Sequence, residues 1–77
     1  MITVNDLEFV EGMEESDSFW FYESFNHYYI YQKKNHYELV VCRLVNNGED
    51  VETKAYSCSG FDTALETIAN IEEGKEV

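Results

Sequence analysis

Sixteen carboxylates, two histidines and two cysteines are the groups in this 77-residue sequence with the chemistry for catalysis or metal binding. Their spacing decides which of these is open to them. His27 and His36 lie nine residues apart and form neither an HExxH pair nor a zinc-ligand pair, so they read as ordinary strand or turn histidines. Cys42 and Cys58 form no CxxC and are too few for a disulfide framework, which suits two reduced thiols acting as small apolar fillers. Acid and base catalysis by carboxylates needs two of them held in opposed environments. Here the acids collect at the chain ends instead: Asp6, Glu8, Glu11, Glu14, Glu15 and Asp17 at one, Asp62, Glu66, Glu72, Glu73 and Glu76 at the other. The N-terminal acidic run lacks the ligand spacing and central glycine of a calcium loop. No glycine-rich phosphate loop occurs either. The sequence therefore predicts no enzyme, no metal and no cofactor, and directs attention to binding.

The charge balance suggests what is bound. Five bases leave a net charge of -11, and the surplus is uneven, because residues 18–58 are close to balanced with five acids against four bases. A compact chain of this length has a radius of gyration of about 11 Å and spans roughly 30 Å, a length over which duplex DNA carries about 18 charges. A charge of comparable density suits a basic nucleic-acid-binding protein as partner, approached under electrostatic steering. Direct contact with nucleic acid is disfavoured, since phosphates are repelled. The segment MITVNDLEFVEGMEES has neither the basic start nor the apolar run of a secretory signal, and nothing approaches the ~20 apolar residues of a membrane span. A cytoplasmic protein without a membrane partner is expected.

The elements that must position these groups begin with a hairpin. Asn47-Gly48 is the preferred pair for a type I′ turn, in which both residues take φ > 0. Centred there, Leu44 faces Val51, Arg43 faces Glu52, Cys42 faces Thr53, Val41 faces Lys54, Val40 faces Ala55 and Leu39 faces Tyr56. One face then carries the small apolar set Val40, Cys42, Leu44, Val51 and Ala55, and this is the face expected under a helix. The other, with Tyr37, Leu39, Val41, Arg43, Glu52, Lys54 and Tyr56, is amphipathic and expected to be partly exposed. Cys42 and Cys58 fall on opposite faces and should not meet.

Downstream, Phe61, Ala64, Leu65, Ile68, Ala69 and Ile71 recur at helical spacing, with Ser59 and Asp62 as a capping-box start and Gly74 as the stop. A helix over about 60–73 should point Glu66, Glu72 and Glu73 outward. Upstream, FWFYESFNHYYIY, residues 19–31, holds eight of the twelve aromatic rings. It predicts strands over 19–22 and 28–31, with turns at 23–26 and 33–35. Residues 5–13 read either as a short helix capped by Asn5 with Glu8 at N3, or as an edge strand through Leu7, Phe9 and Val10; the helix is preferred. The whole is a single α+β domain: an antiparallel sheet of about four strands, a C-terminal helix on one face and a short N-terminal helix.

In a strand successive side chains alternate between faces, so about half of the eight rings must lie away from the C-terminal helix. Either the N-terminal segment or a homodimer covers them, or they form a protein-binding face with Trp20, Tyr22, Tyr28 or Tyr29 as anchors.

In small size, strong acidity, an antiparallel sheet with one helix and the absence of a catalytic motif, the chain resembles small phage-encoded inhibitors, anti-CRISPR proteins and other DNA mimics in particular. The resemblance covers the whole chain as size, composition and layout, without a specific motif. It implies a non-enzymatic, stoichiometric inhibitor that occupies the nucleic-acid-binding groove of a host defence or nucleic-acid-processing protein. The acids expected to make that contact are Glu11, Glu14, Glu15, Asp17, Glu66, Glu72 and Glu73. The alternative is an adaptor or homodimer that uses the aromatic sheet face.

Overall fold

A computed structural model describes residues 2–14 and 17–75. The elements are a 3-10 turn Val4–Asp6, strands β1 (Glu8–Val10), β2 (Phe19–Glu23), β3 (His27–Gln32), β4 (Tyr37–Val45) and β5 (Asp50–Cys58), and helix α1 (Phe61–Glu72). The strands form one antiparallel meander in the order β1-β2-β3-β4-β5, with α1 packed on one face, an α+β architecture.

The expected four strands become five because residues 8–10 form an edge strand rather than a helix. Glu8, Phe9 and Val10 pair with Phe21, Trp20 and Phe19, and the Phe9 ring meets Trp20 at 5.0 Å. Local capping at Asn5 loses to this pairing. The 3-10 turn before it is closed by Thr3, whose N–H donates to Asp6 Oδ2 at 2.8 Å while the Asp6 N–H donates to the Thr3 carbonyl at 2.9 Å.

The β4–β5 hairpin has the register its turn dictates, from Val45 opposite Asp50 to Tyr37 opposite Cys58. Asn47 (φ 59°) and Gly48 (φ 87°) are the left-handed central residues, Asn46 before them is left-handed as well (φ 53°), and the Glu49 N–H donates to the Asn46 carbonyl at 3.2 Å. Helix α1 starts one residue later than a Ser59 cap requires, with Gly60 at the N-cap position and no side-chain cap. It stops at Gly74 (φ 80°), where the Gly74 and Lys75 N–H groups donate to the carbonyls of Ile71 and Asn70.

The core is Tyr28, Ile30, Leu39, Val41, Cys58, Ala64 and Ile68, with Trp20, Tyr22, Tyr37, Tyr56, Phe61, Leu65 and Ile71 packed around it. This inverts the expected assignment of the hairpin faces. The helix covers the side carrying Leu39, Val41 and Tyr56, and leaves bare the side carrying Val40, Cys42, Leu44, Val51 and Ala55. The reason lies in strand length. The last β3–β4 pair is His27 with Cys42, so Arg43–Val45 and Asp50–Glu52 run on as a two-stranded ribbon. Arg43 and Glu52 sit on that ribbon. The polarity of their face is thus a lengthwise change from core to tip and says nothing about which side the helix covers.

Candidate binding surfaces

On the bare face the pairing lays side chains in rows across the sheet. One row is Val10, Phe19, Tyr31, Glu38 and Ser57; the next is Glu8, Phe21, Tyr29, Val40 and Ala55; then Glu23, His27, Cys42 and Thr53; and at the ribbon, Leu44 and Val51. The rings of the first three rows interlock into a ladder. Phe19 meets Tyr31 and Tyr29 at 5.5 Å each, Phe21 meets Tyr29 at 5.2 Å, and His27 stacks on Phe21 at 5.9 Å. These are the tilted and edge-on separations at which aromatic pairs attract beyond their buried area. Each ladder residue stays partly exposed, and Leu44 (57%) and Val51 (62%) lie open beside them. Among the described residues no element packs over this face.

Charged groups frame the ladder. Lys33 stands over the Tyr31 ring at 5.5 Å and approaches Glu38 at 3.9 Å, and His27 Nε2 lies 3.6 Å from Glu23. The phenol of Tyr29 is raised above its ordinary pKa, chiefly by burial. The Tyr29 hydroxyl is therefore a neutral donor and acceptor at neutral pH, suited to polar contacts at the rim of an apolar patch.

Of the four aromatic anchors expected, only Tyr29 is on the bare face. Trp20, Tyr22 and Tyr28 point to the helix: Trp20 meets Phe61 at 5.0 Å, Tyr22 meets Tyr28 at 5.8 Å, and Tyr28 is wholly buried. Strand parity places Phe19, Phe21 and Tyr31 with Tyr29 instead. The sequence holds a marker for this, since Ile30 is the one aliphatic in the run, and an aliphatic among aromatics identifies the core side of a strand.

Tyr28 is held by a polar network at the helix end. Its hydroxyl donates to Glu72 Oε2 at 2.5 Å and accepts from Asn26 Nδ2 at 3.0 Å, while the Ser24 hydroxyl donates to Glu72 Oε1. Burial, reinforced by the Glu72 carboxylate, pushes the phenol up to about 12. Glu72 is consequently a half-buried structural acceptor and not the outward charge expected of it.

The remaining acids divide between two depressions that share no lining residue. Glu11 and Glu14 line the first with Phe9, Met13, Trp20 and Gln32. Its loop closes tightly: the Gly12 N–H donates to Ser18 Oγ at 3.0 Å, and a Cβ at Gly12 would stand 2.6 Å from Asp17 Cβ. Asp17 is exposed beside it, and Glu15 lies outside the described residues. The second depression runs between the N-terminal segment and α1. Ile2, Val4, Phe61, Leu65 and Ala69 form its apolar walls, with Asp62, Glu66, Glu72 and Glu73 along it. The acids of the two ends thus line separate depressions, and the N-terminal segment reaches the helix side only through the uncharged Ile2, Thr3 and Val4.

Among the described residues no group of three His, Cys, Asp or Glu side chains is placed to hold a metal, and no helix is long and apolar enough to cross a membrane. Cys42 and Cys58 are both free, as their opposite faces require. Compared with protein-family models, curated proteins and solved structures, the chain matches none.

Proposed function

We propose that this chain is a non-enzymatic binding protein that grips a protein partner through its bare aromatic sheet face. The observation that carries the reading is the ladder Tyr31, Phe19, Tyr29, Phe21 and His27 on a face over which no described element packs. Phe and Tyr offer large rigid contact area at small entropic cost, and Tyr adds a polar tip for the rim. The net charge of -11 selects the partner, favouring a basic protein and opposing nucleic acid and anionic lipid.

A second reading rests on the helix side, where the exposed Asp62, Glu66 and Glu73 gather along one depression. In that reading the acidic flank, not the aromatic face, enters the nucleic-acid-binding groove of a host defence or nucleic-acid-processing protein and blocks it stoichiometrically.

Capture of partners from lysate, eluted along a salt gradient and repeated with the Phe21→Ser/Tyr29→Ser variant, separates the two. Exposed charge pairs are screened between about 0.1 and 0.5 M salt. A partner that survives the gradient and is lost with the double variant supports the aromatic face. Release by salt, with the double variant binding normally, rejects that reading and supports the acidic one.

A further inference from the structure

The two edges of the sheet differ. β1 offers three residues, whereas β5 offers nine, Asp50–Cys58, without proline or glycine, and Asp50–Ala55 are all exposed. A long unprotected edge is a template for another strand.

The turn fixes which β5 groups are free. In an antiparallel ladder hydrogen-bonded and non-hydrogen-bonded pairs alternate. At the β3–β4 turn the Lys33 N–H donates to the His36 carbonyl, so counting along the register turns Glu38, Val40 and Cys42 to β3 and leaves Tyr37, Leu39, Val41 and Arg43 to bond Cys58, Tyr56, Lys54 and Glu52 of β5. The N–H and C=O groups of Val51, Thr53, Ala55 and Ser57 then point away from the sheet. Any strand added there must hydrogen-bond these odd-numbered residues.

We propose that the occupant is a second copy of this chain, with β5 pairing antiparallel to its own equivalent about a two-fold axis at Thr53. Charge complementarity selects both the partner and the register. With Thr53 opposite Thr53 of the second copy as a hydrogen-bonded pair, Glu52 faces the second copy's Lys54 and Lys54 faces its Glu52, both as non-hydrogen-bonded pairs, in which side chains stand closer. Val51 faces Ala55 twice on the opposite side of the sheet. Opposite charges, Thr-Thr and apolar neighbours are each favourable cross-strand pairs. A shift to an axis at Lys54 sets Lys54 against itself, and a shift to Glu52 sets Glu52 against itself. Neither Glu52 nor Lys54 joins the ion pairs found among the described residues, so both are available.

Two five-stranded sheets become one of ten. Because the axis is perpendicular to the sheet, both helices lie on one side and both aromatic ladders on the other. The inference is independent of what the aromatic face binds.

The test combines sedimentation equilibrium with a cross-link. Wild type should dimerise; Lys54→Glu should raise the dimer dissociation constant at least tenfold, and the exchange Glu52→Lys/Lys54→Glu should restore it, which also guards against a folding defect. Cys42 lies opposite Thr53 within the chain, so the cross-link uses Thr53→Cys in a Cys42→Ser background. Copper-phenanthroline oxidation should then give a covalent dimer, and Ser57→Cys in the same background should not. A protein that stays monomeric to millimolar concentration overturns the proposal. So does a dimer indifferent to Lys54→Glu but lost with Phe21→Ser/Tyr29→Ser, which would be a face-to-face pair.

Discussion

The two faces of the sheet have similar composition and opposite fates. The covered face carries Phe9, Trp20, Ile30, Leu39 and Tyr56 in one row, and the bare face carries Phe21, Tyr29, Val40 and Ala55, with Glu8 at the edge, in the row beside it. Both are apolar, and both are built around interlocked rings. They differ in what a single helix can reach. α1 has one apolar stripe, so among the described residues the second sheet face, its rings bordered by Glu8, Glu23 and Glu38, stays open. The contrast teaches where stability ends and binding begins: removal of a covered residue should cost folding, and removal of a bare one should cost association.

The largest expected effect tests that division directly. Ile30→Ala removes a wholly buried side chain from beneath α1 and should destabilise the fold by about 2–5 kcal/mol, as cavities in cores do. Leu44→Ala, on the bare ribbon at 57% exposure, should stay within about 0.5 kcal/mol. Urea unfolding of the two variants measures both. Equal losses would mean that the bare face is buried in solution.

Next in size is the loss of affinity on the bare face. Phe21→Ser or Tyr29→Ser should weaken a captured partner by about 10- to 100-fold, the range of an interface anchor, with the unfolding midpoint little changed. Tyr22→Ser, at a ring that packs on Tyr28, should do the reverse. Titration calorimetry beside urea unfolding separates the two outcomes, and a Tyr22 variant that folds normally while losing the partner would move the site to the helix side.

Much of this comparison is legible in the sequence, and the part that is not has a physical reason. Asn47-Gly48 sets the β4–β5 register residue by residue because a type I′ turn admits few alternatives. The 3.6-residue recurrence from Phe61 to Ile71 marks α1 to within a residue or two. Which face α1 covers is hidden, because hairpin residues 43–45 and 50–52 run beyond β3 and mix tip polarity into the pattern. β1 is hidden because three residues carry too short an alternation to outweigh a capping signal. Among site residues, Tyr29 is readable from the aromatic run. Phe19, Phe21 and Tyr31 require the parity set by Ile30, and the structural role of Glu72 requires the contact with Tyr28 across 44 residues.

A smaller effect sharpens the covered side. Tyr28→Phe removes the donor to Glu72 and should cost about 1.5 kcal/mol, the value of a hydrogen bond to a charged group. The pH dependence has a definite sign. The phenol is raised from 10.0 to about 12 in the fold, so between these values the unfolded chain loses a proton that the native state retains. The stabilisation is present in full below pH 10 and is lost as pH rises to about 12. Urea midpoints across that window should fall less steeply for Tyr28→Phe than for wild type. The residual slope belongs to Tyr29 and Cys58, which burial also raises. Parallel slopes would show that Tyr28 does not hold its proton in the native state.

The last contrast changes no stability and reads the two faces through their thiols. Cys42 sits on the bare face, half-buried in the row of His27 and Thr53, with its Sγ 3.9 Å from the Thr53 hydroxyl. Cys58 is 2% exposed under α1, and burial pushes its thiol up, against which a hydrogen bond to Thr67 acts. Thiol reagents attack the thiolate, so reaction needs both access and ionisation. Cys58 is denied both by the same packing, whereas Cys42 is within reach of solvent. An aromatic disulfide reagent at pH 8 should therefore label one thiol per native chain, mapped to Cys42, and the second only on unfolding. A bound partner or face-to-face second copy on the aromatic ladder should slow the first reaction, since Cys42 lies in the row next to Tyr29. Edge pairing through β5 leaves that face open and should leave the rate nearly unchanged. Rapid labelling of both thiols in native protein would mean that α1 lifts from the sheet, and the division between covered and bare faces would then be one of time rather than of structure.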